Sequence, residues 1–303
     1  MKFHSNGKLL ITGEYAVLDG AKGLALPTKQ GQSLEVKNNN SNKLNWKSLD
    51  EAGELWFEGN FEFAAGNFKL LNEGNEVGKR LEKLLQEAHQ LNPEIFNEQQ
   101  GFDVVTRLDF NRDWGLGTSS TLVNNLANWF KIDAYRLLKK TFGGSGYDIA
   151  AAQHKQPITY QITSSGPSIL KTDFNPGFSN EIFFVYLNEK KNSRNAIKHY
   201  RELPQSNKNG LIDKTSALTQ QFIACETLTE FELLINVHET LIAKTLQLPK
   251  IKQVRFSDFP GAIKSLGAWG GDFILVTGNK EEVFQYFNQK GFHTIFEYNK
   301  LIF

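Results

Sequence analysis

The segment WGLGTSSTLVNNLANWF (114–130) sets two glycines against the start of a helical pattern, with only hydroxyl residues between. Gly115 and Gly117 permit positive φ and let a ligand approach the backbone. Consecutive N–H groups in such a turn can point inward as an anion nest. A helix beginning near Ser119 adds its unsatisfied N–H groups and the positive end of its dipole. Thr118, Ser119 and Ser120 can cap the helix, donate to phosphate or bind magnesium, while Trp114 and Leu116 are apolar enough to anchor the loop. On these residues alone two readings stay open: an ordinary turn with a serine N-cap, or a phosphate cradle. The Walker pattern G-x-x-x-x-G-K-[ST] and the dinucleotide pattern G-x-G-x-x-G are both absent here, and the nearby TFGGSGYD lacks the lysine.

A chain of 303 residues is long for a single core, so two domains are expected. The formal net charge of +1 argues against a nucleic-acid or anionic-membrane partner held by bulk charge. Cys225 is the one cysteine, which rules out an internal disulfide and fits a reducing compartment. Its neighbours QFIACETL read as a helix with a buried structural thiol. No apolar run reaches the ~20 residues needed to span a bilayer. The N-terminus MKFHSNGKLLITGEY has no apolar leader core, so a cytoplasmic location is expected. The six histidines show no ligand spacing, and no zinc site is expected.

Along the chain, the first 36 residues read as strand, turn, strand, with a turn signal at Asp19-Gly20. QSLEVK and LNWKSL read as strands joined by a hairpin loop at 38–43. LWFEGNFEF continues the β-rich section. Residues 75–91 place Val77, Leu81, Leu84, Leu85 and Ala88 at helical spacing. GFDVVTRLDF alternates like a strand, and helices follow at about 119–139 and from Tyr147. ITYQITSS and GPSIL read as strand and turn. From about 181 the pattern resets: strand EIFFVYL, a helical region 212–248, strand DFILVTG, helix EEVFQYFNQKG and last strand FHTIFEY, an α+β sandwich. The boundary is placed near 170–180, giving domains 1–175 and 176–303.

Two more segments bear on the glycine-hydroxyl turn. SNGKLLITGEYAVLDG (5–20), GLGTSS and SLGAWGGDFILVTG (265–278) occur in order across almost the whole chain. Together they resemble the three signature motifs of the GHMP kinase superfamily: P-G-K-L-x-x-x-G-E-Y/H-A-V, G-L-G-S-S-A and G-A-G-G-G. Tyr15 after Glu14, the GGD at 270–272 and GSGYDIAAA (144–152) are similar to the phosphomevalonate kinase branch, and the last also resembles the GYDIA subgroup. Asn6 stands where the family has Pro, Thr118 replaces the first Ser, and Trp269 replaces a glycine of the third motif. The resemblance implies an α+β, two-domain GHMP kinase fold, with an N-terminal ribosomal-protein-S5-like domain and a C-terminal ferredoxin-like sandwich.

It also implies an ATP- and Mg2+-dependent kinase of isoprenoid-precursor metabolism, acting on phosphomevalonate or mevalonate. A homoserine- or sugar-type kinase, a related decarboxylase and a non-catalytic nucleotide-binding module are the alternatives. The implied partners are ATP and a small-molecule substrate, in a monomer or homodimer. Asp148 falls at the family's catalytic aspartate, where a carboxylate can take the acceptor's proton; it could equally cap the helix IAAAQ. Lys8, if within reach of Asp148, would hold it ionised and could contact the transferred group, or it is a solvated strand-edge lysine. Gly115, Leu116, Gly117, Thr118, Ser119 and Ser120 would bind the nucleotide, with Ser119 on the metal. Glu14, Ser145, Arg194, Gly267, Ala268, Gly270 and Gly271 are candidates for the substrate side. Arg112, Lys190, Lys191 and Lys264 are further candidate cations, and Asp272 could face solvent or the site.

Overall fold

The computed structural model describes residues 1–72, 76–97, 100–191 and 193–303. The chain divides into two compact units built from interleaved segments. The first comprises Met1–Gly7, Gln30–Arg112 and Leu116–Gln153; the second comprises Lys8–Lys29, Asp113–Gly115 and His154–Phe303. The expected boundary between 175 and 176 falls inside the second unit and stays a proposal about linear organisation.

The first unit takes the ends of two long strands, β1 (Lys2–Thr12) and β2 (Gly23–Asn39), and adds β3 (Lys43–Leu49), β4 (Leu55–Ala64), β5 (Asn67–Leu70) and β6 (Gly101–Leu108). Its helices are α1 (Glu76–Leu91), α2 (Thr118–Phe130), α3 (Ala134–Thr141) and α4 (Tyr147–Ala152). Burial alternates along β3, so one face packs and the other is wet. The packed face carries Leu44, Trp46, Phe61, Phe102 and Val104 against Leu81, Leu84 and Leu85 of α1 and Leu126, Trp129 and Phe130 of α2. Asn75, expected to begin α1, lies outside the described residues.

The strand order β5-β4-β3-β6-β2 corrects the expected hairpin. β6 lies between β2 and β3, antiparallel to the first and parallel to the second. Asn39 pairs with Gly101, and Leu44 pairs with Phe102. The short link between β2 and β3 therefore passes over the start of β6. A Cβ on Gly101 would stand 2.1 Å from the Ser41 carbonyl oxygen and 2.7 Å from that of Lys43. The polar run at 38–43 reads as a hairpin because nothing local reveals the strand that inserts there.

The helix expected over about 119–139 is two. Lys131 turns left-handed (φ 54°) at the end of α2, and the Asp133 carboxylate accepts from the Tyr135 and Arg136 N–H groups to start α3. The apolar spacing carries through the break and hides it. After Gly13 the YAVL stretch is a 3-10 turn over Ala16–Asp19, closed by Gly20 at φ 96°.

In the second unit β7 (Ile158–Thr163) pairs with β2 at Gly23–Ala25, and β8 (Gly166–Lys171) pairs with β7. There follow β9 (Ile182–Tyr186), α5 (Ser193–Glu202), α6 (Gln205–Lys208), α7 (Leu211–Ala224), α8 (Leu228–Leu246) and α9 (Ile251–Arg255). The chain ends with β10 (Ile263–Ser265), β11 (Phe273–Thr277), α10 (Lys280–Gln289), β12 (Ile295–Glu297) and α11 (Tyr298–Leu301). The order β10-β11-β9-β12 is antiparallel throughout. β9 and β11 are buried almost along their whole length, as their unbroken apolar runs require, with Phe183, Val185, Ile274 and Val276 packed on Phe256, Val283 and Phe287. The helical region 212–248 splits at Thr227, whose hydroxyl accepts from the Glu230 N–H. Among the described residues no helix is long and apolar enough to cross a membrane.

Gly101→Ala should cost about 1–3 kcal/mol of stability, because backbone oxygens cannot yield to the added methyl. Chemical denaturation compared with Gly59→Ala, whose neighbours are ring edges, measures it; equal costs would remove the crossing as the cause.

Candidate functional site

In the first unit the glycine-hydroxyl segment expected to bind phosphate forms the N-terminal turn of α2. Gly117 takes a left-handed conformation (φ 103°) that a Cβ would oppose, and no side chain caps the helix. The Ser120 hydroxyl turns back to the Gly117 carbonyl at 2.9 Å, so it serves the turn. Ser119 is exposed, whereas the Thr118 hydroxyl is buried with no hydrogen-bond partner. Leu116 is fully buried. A polar network that the sequence did not reveal fixes α2 from behind. Thr121 Oγ1 donates to Gln32 Oε1 (2.8 Å), and Ser5 Oγ donates to Asn125 Oδ1 (2.7 Å) while accepting from Asn124 Nδ2 (2.8 Å). Gln153, at the end of α4, donates to Asn124 Oδ1 at 2.9 Å. These groups are satisfied by one another, so burying them is tolerable and their geometry is specific.

Asp148 sits in the first turn of α4, half-buried, with Oδ1 3.1 Å from the Ile149 N–H. Gly146, left-handed at φ 89°, holds the cap position instead. Ser145 is half-buried in the same glycine-rich turn.

In the second unit Lys8 Nζ donates to the Gly115 carbonyl at 2.7 Å. A Cβ on Gly115 would meet Asp272 Oδ2 at 2.6 Å, and one on Gly267 would meet it at 3.1 Å. The space beside the Gly115 Cα therefore belongs to a carboxylate of the protein. Asp272 does not face solvent: it is 6% exposed and itself left-handed (φ 54°). Burial raises its carboxyl above the ordinary range against the pull of the Lys191 N–H, Lys8, Lys190 and Lys191. Trp114 packs on Tyr186, Phe273 and Phe296 at 5.1–6.4 Å between ring centres.

Glu14 joins a buried charge cluster. Its Oε1 pairs with Lys264 Nζ, and its Oε2 lies 3.1 Å from His238 Nε2, out of line for a hydrogen bond. Glu239, next on α8, accepts from the Ser265 N–H (3.1 Å) and hydroxyl (3.3 Å) and lies 3.9 Å from Lys264. Burial would raise the Glu14 carboxyl, but Lys264 and then His238 outweigh it and hold it below the usual range. Burial and then Lys264 keep His238 below its ordinary value, and burial pushes Glu239 up to about 8. Lys264, weighed above as a cation for the acceptor, is sealed in this cluster.

The third-motif turn follows Ser265. Ala268 and Gly271 are buried; Gly270 (φ 80°) has open space where a Cβ would go, while a Cβ on Gly271 would run into Lys191 Cγ. Trp269 donates its backbone N–H to the Tyr15 hydroxyl (2.9 Å) and its indole N–H to the Pro249 carbonyl (3.0 Å). Its ring packs with the cluster of Tyr15, Tyr200 and Ile242, which explains how a bulky residue fits a glycine position. Lys190 and Lys191 pair with Asp113 and Glu189. Arg112 lies over the Trp56 ring, and Arg194 is exposed on α5. Among the described residues, no three His, Cys, Asp or Glu side chains are grouped to hold a metal.

No family model and no curated protein matches this sequence. Solved structures do match. The mevalonate kinase of Methanococcus jannaschii is 15% identical, with TM-score 0.69 over 98% of this chain and 96% of that one. The Streptococcus pneumoniae phosphomevalonate kinase, in complex with phosphomevalonate and AMPPNP, is 17% identical, with TM-score 0.67 over 96% of each chain. The Lactococcus lactis galactokinase, complexed with galactose, is 12% identical, with TM-score 0.70 over 97% of this chain and 92% of that one. All are GHMP kinases, and the fold of this chain is theirs: α+β, with a large mixed sheet and a smaller second sheet.

Between the ordinary Glu value of 4.5 and about 8, folded Glu239 keeps a proton that the unfolded chain releases. Its contribution is whole below that window and falls as pH rises through it. Glu239→Gln should therefore flatten the decline of Tm across this window; curves parallel to wild type would refute the assignment.

Proposed function

We propose that this chain, which has the GHMP kinase fold, is an ATP-dependent phosphotransferase acting on a small molecule. The observation that carries the reading is the turn at the start of α2: a left-handed Gly117, no side-chain cap, an exposed Ser119 and a buried, unpartnered Thr118 hydroxyl. Such a turn suits a phosphate chain, whose oxygens would satisfy the first N–H groups and the orphan hydroxyl. The three motifs in order, and the likeness to kinases over nearly the whole chain, support the same reading.

Asp148 takes the proton of an alcohol acceptor, or orients the oxygen of a phosphate acceptor, as that oxygen bonds to the γ-phosphorus and the bond from phosphorus to the β–γ bridging oxygen breaks, leaving ADP. Lys8 neutralises charge on the transferred group. Gly117–Ser120 hold the phosphates, with Gly115 and Leu116 shaping the loop that leads to them. Ser119 presents an exposed hydroxyl suited to Mg2+, an ion that keeps most of its coordination for water and phosphate and needs few protein oxygens. When bound, the ion supplies charge neutralisation on the phosphates. Ser145, Arg194 and the 267–271 turn, with Gly267, Ala268, Gly270 and Gly271, are assigned to the acceptor. Glu14, sealed with Lys264, acts by holding that turn's approach strand.

Phosphomevalonate is the preferred acceptor and mevalonate the next, on the GEY and GGD forms of the first and third motifs. Homoserine and sugars are the alternatives. A cytoplasmic site of action fits the single cysteine.

An ADP-release assay against phosphomevalonate, mevalonate, homoserine and galactose should show turnover with one of the first two. No ADP above the acceptor-free rate with any of them would defeat the reading. Asp148→Asn should cut kcat at least ~100-fold with ATP affinity within a few-fold; near-normal turnover would remove Asp148 from its role. Ser119→Ala should raise the magnesium concentration needed for half-maximal rate, and an unchanged requirement would displace the metal from Ser119.

A further inference from the structure

We propose that Asp272 is a positioning residue: its carboxylate, set against Gly115, holds the Lys8 ammonium on the Gly115 carbonyl and so places the cation that meets the transferred phosphoryl group. The inference rests on the kinase reading and adds a residue to it.

Three distant segments meet at one glycine. Lys8 Nζ binds the carbonyl of Gly115 at 2.7 Å, and Asp272 Oδ2 occupies the Cβ position of the same residue, 2.6 Å from where that atom would stand. Gly115 is left-handed at φ 67°, a conformation that turns its carbonyl toward Lys8 and leaves its Cα open to the carboxylate.

The backbone of Asp272 is held from both sides. Its N–H donates to the Glu189 carbonyl at 2.8 Å, and its carbonyl accepts from the Leu187 N–H at 2.8 Å. Asp272 is left-handed at φ 54°, a conformation aspartate tolerates, and is only 6% exposed. Its Oδ1 accepts from the Lys191 N–H at 3.1 Å. One such bond is thin support for a buried carboxylate, and a nearby cation stabilises its charged form. Lys8 is the cation whose ammonium is fixed on the glycine that the carboxylate covers. Burial drives the Asp272 carboxyl upward, and Lys8 is the strongest of the three lysines that oppose it.

The arrangement acts through Lys8, so Asp272 needs no contact with substrate. An aspartate that only stabilised the turn would affect Lys8-containing and Lys8-less proteins equally.

The test is a double-mutant cycle of Lys8→Met and Asp272→Asn, read in Tm and in kcat. Asp272→Asn should lower kcat about tenfold in the wild-type background, with KM for ATP within about threefold, and by less than about twofold in Lys8→Met. Lys8→Met should lower Tm, and adding Asp272→Asn should restore most of the loss. Lys8→Arg, which keeps the charge, should stay sensitive to Asp272→Asn. Independent effects on Tm overturn the inference whatever the protein's activity, and independent effects on kcat in an active wild type overturn it as well. If Asp272→Asn alone fails to fold, the double variant decides: a folded double supports the pair, and an unfolded one overturns it. A wild type inert toward every acceptor, with coupling in Tm intact, removes the kinase reading and leaves the pair standing.

Discussion

The buried pair of Glu14 and Lys264 constrains the second unit more than any other contact. Leaving one of two buried charges alone costs about 3–5 kcal/mol, so neither side chain can drift from the other. Glu14 lies in the turn after β1, and Lys264 lies on β10, immediately before the third glycine turn. Tying them together sets where that turn begins, and α8 closes the cluster with His238 and Glu239. The Tyr15 hydroxyl, one residue on from Glu14, then receives the Trp269 N–H inside the turn itself. The order of the motifs along the chain becomes an order in space through charge pairing first and hydrogen bonding second.

The two glycines of the central loop serve different ends. Gly117 allows α2 to start without a side-chain cap, so its first amide groups stay available. Gly115 allows a carboxylate to sit on the backbone, and its carbonyl fixes a lysine. A pattern written as Gly-Leu-Gly thus combines a glycine that starts a helix without a side-chain cap with one that serves the protein's own charges. The leucine between them is fully buried, as a short turn with two permissive residues requires if it is to hold one shape.

Much of this was legible in the sequence because it is local. The glycine-hydroxyl turn, the run into α2, the apolar strands β9 and β11 and the spacing of α1 all follow from near neighbours. The rest depends on partners far along the chain. Nothing near 38–43 announces that β6 enters between β2 and β3, and only Gly101 hints at the crowding. Lys264 reads as a surface cation until Glu14, 250 residues away, neutralises it. Asp272 could face solvent or the site on sequence alone, until its carboxylate proves to fill the space beside Gly115. The break between α2 and α3 did carry a local sign, Asp133 two residues before Tyr135, but the apolar period ran on through it.

The insertion of β6 also bears on how the protein is made. A ribosome delivers β2, β3, β4 and β5 before β6 exists, so the edges of β2 and β3 that β6 pairs have no native partner until it is made. Until β6 arrives, each presents unpaired amides and carbonyls along an edge, the kind of surface on which nascent chains join one another. Pairing that spans so much sequence is slow to close. Synthesis therefore exposes the chain to edge-to-edge association until its sixth strand is in place.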